Sequence, residues 1–129
     1  MLRFKLKKTI DENKEITLSN LKYPIKNNVD PPKKNFEINE LEKEFFNYLY
    51  ENLDEKDNNA ISLTRMYDGR ISVKHWNGYV GSVKLQGKKH YIQVSYSYFD
   101  SETIYGDLEE LIPKIDFWIM YIRVYLNKP

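Results

Sequence analysis

Two histidines, His75 and His90, are the only imidazole side chains of the sequence, and the chain contains no cysteine. Zinc sites in proteins combine several Cys, His or carboxylate ligands. Neither histidine has Cys, Asp or Glu close to it along the chain. The predicted register puts both on the core side of a sheet, His90 near a turn, and we interpret them as structural or solvent-edge histidines. We predict no metal, no cofactor and no catalytic residue.

The segment from Gly81 to Lys89 has the glycines and lysines of a phosphate-binding loop, but their arrangement differs. The spacing is one residue too long, no Ser or Thr follows the lysine, and the segment lies in a predicted hairpin rather than before a helix. A metal-dependent nuclease would need several convergent carboxylates, and residues 60–98 contain only Asp68. Of the three functions that we weigh, an enzyme is therefore the least favoured.

The length of 129 residues and the 41% hydrophobic content fit one globular domain. The absence of cysteine excludes disulfides. No continuous apolar run follows Met1, and no run is long enough to span a membrane, so we expect a cytoplasmic protein without membrane contact. The frequent Lys, Asn, Ile and Tyr favour an AT-rich source, a bacterium or a phage.

The net charge of +1 conceals an uneven distribution along the chain. Residues 1–35 contain nine Lys or Arg against four Asp or Glu, whereas residues 36–59 contain two against eight. Residues 60–98 contain six against one, and residues 99–129 contain three against six. The arm and the predicted sheet are therefore basic and the predicted helices acidic. Either the helices neutralise the sheet, or a basic surface meets an anionic partner.

Residues 60–98 predict a four-stranded antiparallel meander, because Gly-containing turns separate runs of β-branched and aromatic residues. A three-residue loop ending at Gly69 pairs Leu63 with Val73, and a similar loop at residues 76–78 pairs Val73 with Gly81. An even loop at Gln86-Gly87 aligns Val83 and Leu85 with Ile92 and Val94. A slip of one residue would turn a whole strand over, so burial should enforce this register.

This register assigns side chains to two faces of the sheet. The predicted core face carries Ile61, Leu63, Ile71, Val73, His75, Tyr79, Val83, Leu85, Ile92, Val94 and Tyr96. The predicted outer face carries Ser62, Thr64, Met66, Ser72, Lys74, Trp76, Val80, Ser82, Lys84, Tyr91, Gln93 and Ser95. One apolar and one polar face is normal for an antiparallel sheet.

Helices are predicted before and after the sheet. Asn39 with Glu42 forms a capping box for a helix at about 40–53, which a polar, acidic loop at 54–59 follows. After a connection over 98–106, Asp107 with Glu110 forms a second capping box. Pro113 should kink that helix or begin a new one, and the main helix runs over about 113–126.

We therefore predict an α+β fold in which the helices pack on one face of the meander. Residues 1–35 form a basic N-terminal arm and linker, with a hairpin that starts at Leu2, Phe4 and Leu6, and a surface connection over 20–35. Residues 36–129 form the α+β domain. The C-terminal helix is apolar on two sides, so its back needs the arm, the first helix or a partner.

The favoured function is a small, non-enzymatic protein-interaction module, such as a regulator or inhibitor. Phe117, Tyr121 and Tyr125 line one side of the C-terminal helix and are the candidate interface residues. Their partner is another protein or a second copy of the chain across a two-fold axis. The alternative is that they belong to the core of this domain.

The second function is nucleic-acid binding by the sheet face and the basic arm. Cations contact phosphates and aromatic side chains stack on bases. The candidate residues combine these two types on the outer face and its turns: Arg70, Lys74, Trp76, Lys84, Lys88, Lys89 and Tyr91.

Overall fold

The computed structural model describes residues 21–28 and 36–126. The elements are β1 (Ile25–Asn27), α1 (Glu40–Asn52), α2 (Glu55–Ala60), β2 (Ile61–Arg65), β3 (Ile71–His75), β4 (Gly78–Lys84), β5 (Tyr91–Ser97), β6 (Asp100–Tyr105), α3 (Leu108–Leu111) and α4 (Ile115–Tyr121). A 3₁₀ turn (Ile112–Lys114) joins α3 to α4, and a π turn (Ile122–Leu126) follows. These four helical pieces are continuous and are called the C-terminal helix below.

The six strands form one sheet in the order β1-β2-β3-β4-β5-β6. All neighbours are antiparallel except β1 and β2, which are parallel. The predicted α+β class with an antiparallel meander between helices is confirmed, but the number of four strands is wrong. The connection predicted after Tyr98 contains β6, a mostly exposed edge strand whose few apolar residues gave no alternating pattern.

The N-terminal residues that the structure describes pack on the domain. β1 lies within the segment predicted as a surface connection, and three residues are too few to show an alternating pattern. Tyr23 is buried, and its ring meets Phe46 edge to face. The predicted hairpin at Leu2, Phe4 and Leu6 lies outside the described residues, so the domain boundary at residue 35 stays a prediction.

The predicted register is confirmed at its three key pairs. Leu63 pairs with Val73, and Gly69 closes the turn between β2 and β3 with a φ of 96°. Val73 pairs with Gly81, and Val83 with Ile92. Glycine suits the position of Gly69 because residues with a Cβ rarely adopt a positive φ.

A β-bulge in β4 overturns two of the predicted facings. The register shifts between Val73 and Lys74, so that Lys74 pairs with Tyr79 and Val80 is the additional residue. Val80 is consequently buried, whereas Tyr79 lies on the outer face. The loop between β3 and β4 is two residues long instead of three, and its positive φ of 54° falls on Trp76.

The helices begin where capping side chains satisfy their free backbone N–H groups. Asn39 and Glu42 form the predicted capping box of α1, and Asp107 and Glu110 form that of the C-terminal helix. The acidic loop predicted at 54–59 is wrong, because Asp54 caps the short helix α2. A 3₁₀ turn containing Pro113 marks the predicted irregularity of the C-terminal helix.

The helices and the core lie on one side of the sheet. Trp118 of the C-terminal helix is fully buried, its ring meets Phe45 of α1 edge to face, and its Nε1 donates to Gln93 O at 2.8 Å. Its indole can approach the sheet because Gly81 has no side chain: a Cβ there would lie 2.5 Å from Trp118 Nε1. The opposite side of the sheet is the outer face.

Candidate functional site

Side chains on the outer face form rows that run across the strands, because paired residues of neighbouring strands point to the same side. One row lies at the strand ends near the β2–β3 turn and consists of Arg70, Lys84, Tyr91 and Tyr105. Ile71 pairs with Val83, so the residue before it, Arg70, lies opposite Lys84 and belongs to the same row. We call these four residues the basic–aromatic row.

The aromatic half of this row is formed by two directly paired tyrosines. The ring centroids of Tyr91 and Tyr105 lie 5.4 Å apart, and the ring planes meet at 60°. Tyr91 is half-buried, whereas Tyr105 is 63% exposed. Burial raises the pKa of the Tyr91 phenol, Asp68 raises it further, and Arg70 opposes this. Tyr91 therefore stays neutral at physiological pH and does not repel an anion.

The basic half of the row consists of Arg70 and Lys84. Arg70 Nη1 lies 2.8 Å from Asp68 Oδ2, so this guanidinium is partly neutralised. Lys84 makes no ion pair with any residue of 21–28 or 36–126, and the same holds for the exposed Lys88 and Lys89 in the neighbouring β4–β5 turn. Among the described residues, no carboxylate thus neutralises these three lysine charges.

The next rows contain mainly hydroxyl and amide groups. The polar row consists of Thr64, Ser72, Ser82, Gln93 and Thr103. The Tyr79 hydroxyl lies 2.7 Å from Ser82 Oγ and donates to Gln93 Oε1 at 2.9 Å, which fixes its ring over this row. No outward position of the described strands holds Asp or Glu, while Lys74 adds a further exposed cation.

The predicted sheet-face residues do not form one cluster. Arg70, Lys84, Lys88, Lys89 and Tyr91 lie at the end of the sheet with the basic–aromatic row. Trp76 lies in the β3–β4 turn at the opposite end, where it is 67% exposed, and Lys74 lies near it. The prediction missed Tyr79 because of the bulge. It missed Tyr105 although Ser101, Thr103 and Tyr105 alternate as outward residues of a polar strand.

A buried ion pair holds the turns beside the row. Both terminal nitrogens of Arg65 donate to the Glu42 carboxylate, at 2.5 and 3.1 Å. Arg65 Nη1 also donates to Gly69 O at 2.9 Å in the β2–β3 turn. Gln86, at the start of the β4–β5 turn, donates to Glu42 Oε1 at 3.1 Å. One carboxylate thus ties α1 to the two turns that carry Arg70 and Lys88.

The two histidines lie in different environments. His75 is buried on the core side as predicted, and its Nε2 lies 2.9 Å from Asp57 Oδ1. Its Nδ1 has no hydrogen-bond partner among the described atoms. A histidine that activates a nucleophile forms a hydrogen bond to it, and the described residues place no such group at this nitrogen. We interpret the pair as a link between α2 and β3. His90 is half-buried, and its Nε2 donates to Gly87 O at 2.9 Å, which braces the β4–β5 turn.

The described ranges contain no group of three His, Asp or Glu side chains close enough to hold a metal ion.

The candidate interface residues of the C-terminal helix are contacted by the β5–β6 hairpin. Phe117 meets Tyr96 edge to face at 5.1 Å, and Tyr125 meets Tyr98 at 4.8 Å. Tyr121 stacks on Tyr125 and is buried. The hairpin therefore covers part of the helix surface for which we expected the arm, α1 or a partner. Whether this stripe contacts another chain stays a prediction.

Other apolar side chains remain exposed near this stripe. Phe99 at the tip of the β5–β6 turn is completely exposed, and Tyr98 is 56% exposed. With Trp76 they form what we call the aromatic end of the sheet. An open groove of about 360 Å³ lies between α1 and the C-terminal helix and is lined by Asn52, Asp116, Ile119, Met120, Arg123 and Val124.

No family model matches the chain, and neither a curated protein nor a solved structure matches it. In the part of the chain that the structure describes, no helix is both long and apolar enough to cross a membrane. The function therefore has to be argued from the geometry of the outer face and of the aromatic end.

Proposed function

We propose that this protein is a small nucleic-acid-binding module that uses the outer face of its sheet. The observation on which the proposal rests is the basic–aromatic row. It places Lys84 next to Tyr91 and Tyr105 on paired positions, so a cation and two aromatic rings share one surface. Proteins that bind nucleic acids combine phosphate contacts by cations with stacking by aromatic side chains.

The charge distribution over the two sides of the sheet also supports this function. The helices, which contain nine of the 15 acidic residues that the structure describes, pack on the core side. The described outward strand positions contain lysines and no carboxylates. The acidic segments therefore do not cover the basic strand positions. A basic face bordered by neutral hydroxyls attracts phosphates. The carboxylate beside the row, Asp68, is paired with Arg70.

Fluorescence anisotropy with labelled oligonucleotides tests the proposal. Wild-type protein is titrated into single-stranded and duplex probes at salt concentrations from about 50 to 200 mM. We expect affinity to fall steeply as salt increases. The double variant Lys74→Ala, Lys84→Ala should bind more weakly to every sequence and should reduce the slope of log K against log salt by about two, or about one per lost phosphate contact.

The matched control is Lys56→Ala, which removes an exposed lysine from α2, away from the outer face. It should leave both the affinity and the salt slope unchanged. If folded protein in excess binds no probe at low salt, the proposal is wrong. If Lys56→Ala weakens binding as much as removal of an outer-face lysine, binding is general charge attraction and does not involve this face.

Protein interaction remains a second proposal, and the aromatic end is the observation that favours it. Trp76 and Phe99 are large aromatic residues on exposed turns, and interfaces are enriched in such side chains. Trp76 also has a positive φ, which costs backbone energy in a residue other than glycine. The π turn brings Leu126 against Gly78, so this end adjoins the stripe of Phe117, Tyr121 and Tyr125.

The simplest form of this second proposal is a homodimer, which light scattering tests directly. A dimer that the double variant Trp76→Ser, Phe99→Ser converts into a folded monomer would support an interface at the aromatic end. A dimer that only Tyr121→Lys dissociates, with its fold intact, would favour the helix stripe instead. A wild-type protein that stays monomeric at high concentration would exclude the homodimer.

A further inference from the structure

We infer that the ligand of the basic–aromatic row is a single-stranded nucleic acid, DNA or RNA, that lies across strands β3 to β6. Its bases stack on Tyr105 and Tyr91, and its phosphates contact Lys84 and Arg70. This inference rests on the proposed function and narrows it, because phosphate contacts alone would serve a duplex or any other polyanion equally well.

The dimensions of the row suit a short stretch of single strand. Neighbouring strands lie about 4.8 Å apart, so the four positions from Arg70 to Tyr105 cover about 14 Å. Sheet surfaces that bind RNA stack two or three bases on their aromatic side chains. Tyr105 offers such a platform, because its ring meets Tyr91 at 60° and does not stack face to face with it, and most of it is exposed.

A duplex does not fit this surface. The faces of its bases are covered by their neighbours in the stack, so tyrosines on a flat sheet cannot reach them. The grooves are also closed to the sheet: six strands at about 4.8 Å make it about 24 Å wide, whereas the major groove is about 12 Å wide. An extended single strand exposes both its bases and its phosphates to one flat surface.

The polar row supplies groups for the edges of the bases. Ser72 and Thr103 offer hydroxyls, and the Gln93 amide lies between them across the sheet. The Tyr79 hydroxyl already donates to Gln93 Oε1, so the amide NH₂ of Gln93 is the group that can donate to a base. Hydroxyls that both donate and accept tolerate different bases, so we expect little sequence preference.

The test compares four fluorescent probes of equal length on the wild-type protein. They are oligo(dT), oligo(rU), a strand with abasic sites in place of all bases, and a blunt-ended duplex. The abasic strand keeps the phosphates and removes the stacking partners. At about 150 mM salt, we expect oligo(dT) and oligo(rU) to bind at least about 10-fold more tightly than the abasic strand and the duplex. The reason is that each stacked base increases the affinity by roughly 5- to 150-fold. The ratio of oligo(rU) to oligo(dT) affinity then distinguishes RNA from DNA as the ligand.

Variants of Tyr105 locate the stacking contact. Tyr105→Ala should weaken binding of oligo(dT) by roughly 5-fold or more and leave binding of the abasic strand unchanged. Tyr105→Phe keeps the ring and should stay within about two-fold of wild type. Phe99→Ala is the matched control, because it removes a fully exposed aromatic ring from the other end of the sheet and should change neither affinity.

The outcomes separate this inference from the proposed function. Equal affinity of the wild type for oligo(dT), the abasic strand and the duplex would overturn the inference even if Tyr105→Ala failed to fold. Loss of affinity in Lys84→Ala would then still support binding of polyanions. Absence of binding to all four probes would overturn the inference and the proposed function together. A loss with Phe99→Ala equal to that with Tyr105→Ala would place the strand elsewhere.

Discussion

Replacement of Glu42 by leucine should remove a large part of the stability of this domain. Glu42 is completely buried and Arg65 is 4% exposed, and the carboxylate accepts both terminal nitrogens of the guanidinium. It also accepts Gln86 Nε2 and the backbone N–H of Asn39, each at 3.1 Å. Without it, the Arg65 charge stays enclosed with Gly69 O as its remaining described hydrogen-bond acceptor. Removing one partner of a buried pair costs about 3–5 kcal/mol.

A double-mutant cycle separates the ion pair from the other consequences of each substitution. Arg65→Met alone leaves a buried carboxylate and should cost a similar amount. The double variant Glu42→Leu, Arg65→Met has no buried charge and a similar side-chain volume. It should lose only about 1–3 kcal/mol, because Gln86, the backbone N–H of Asn39 and Gly69 O each lose a partner. The coupling free energy between the two sites should therefore be about 3 kcal/mol or more.

Urea denaturation measures these values, with the fluorescence of the buried Trp118 as the signal. The control is Glu40→Gln on the same helix, because Glu40 is exposed and pairs with Lys43 at the surface. This variant should change the free energy of unfolding by less than about 0.5 kcal/mol. Single-variant losses that simply add in the double variant would refute the argument, and so would a Glu40→Gln loss equal to that of Glu42→Leu.

Two further predictions concern the core. Gly81→Ala should cost about 2–4 kcal/mol, because its Cβ would lie 2.3 Å from Gln93 O. The control Gly87→Ala places its Cβ near no other atom and should cost only about 1 kcal/mol, through the positive φ of that position. Equal melting temperatures of the two variants would contradict this prediction. Burial, and then Tyr50, raise the pKa of Tyr23 above its ordinary value of about 10. The folded state thus favours the neutral phenol, so its stability contribution is complete below pH 10 and decreases as pH rises above that value. Urea midpoints from pH 8 to 11 should fall less in Tyr23→Phe than in wild type; an equal fall would show that Tyr23 does not titrate on unfolding.

Local patterns in the sequence predicted the elements whose apolar residues recur at a regular period. Capping boxes located the starts of two helices, and the turn at Gly69 with the alternation around it gave the register of β2 and β3. The sequence did not predict the bulge at Val80. A strand with one additional residue can bury its apolar side chains as well as a regularly paired strand does, so the alternation does not distinguish the two. β6 escaped because an edge strand needs backbone pairing but little apolar surface.

The buried charges could have been found in part from the same patterns. Ile61, Leu63 and Arg65 alternate within β2, so the register that buries Leu63 also buries Arg65. A buried arginine requires a carboxylate, and Glu42 lies on the helix packed against that face. The sequence does not identify which carboxylate of the acidic segment reaches Arg65, because that choice depends on how α1 crosses the sheet.

The buried ion pair and the basic–aromatic row are parts of one arrangement. Arg65 points to the core side at the end of β2, and it binds the carbonyl of Gly69 in the turn that leads to Arg70 on the outer side. Gln86 connects the same carboxylate to the turn that carries Lys88. The interior thus fixes the two loops whose cations flank Lys84. The extended strand that we propose as the ligand would need these charges at constant spacing. An ion pair without solvent access supplies that rigidity better than the partly exposed Arg70–Asp68 pair can.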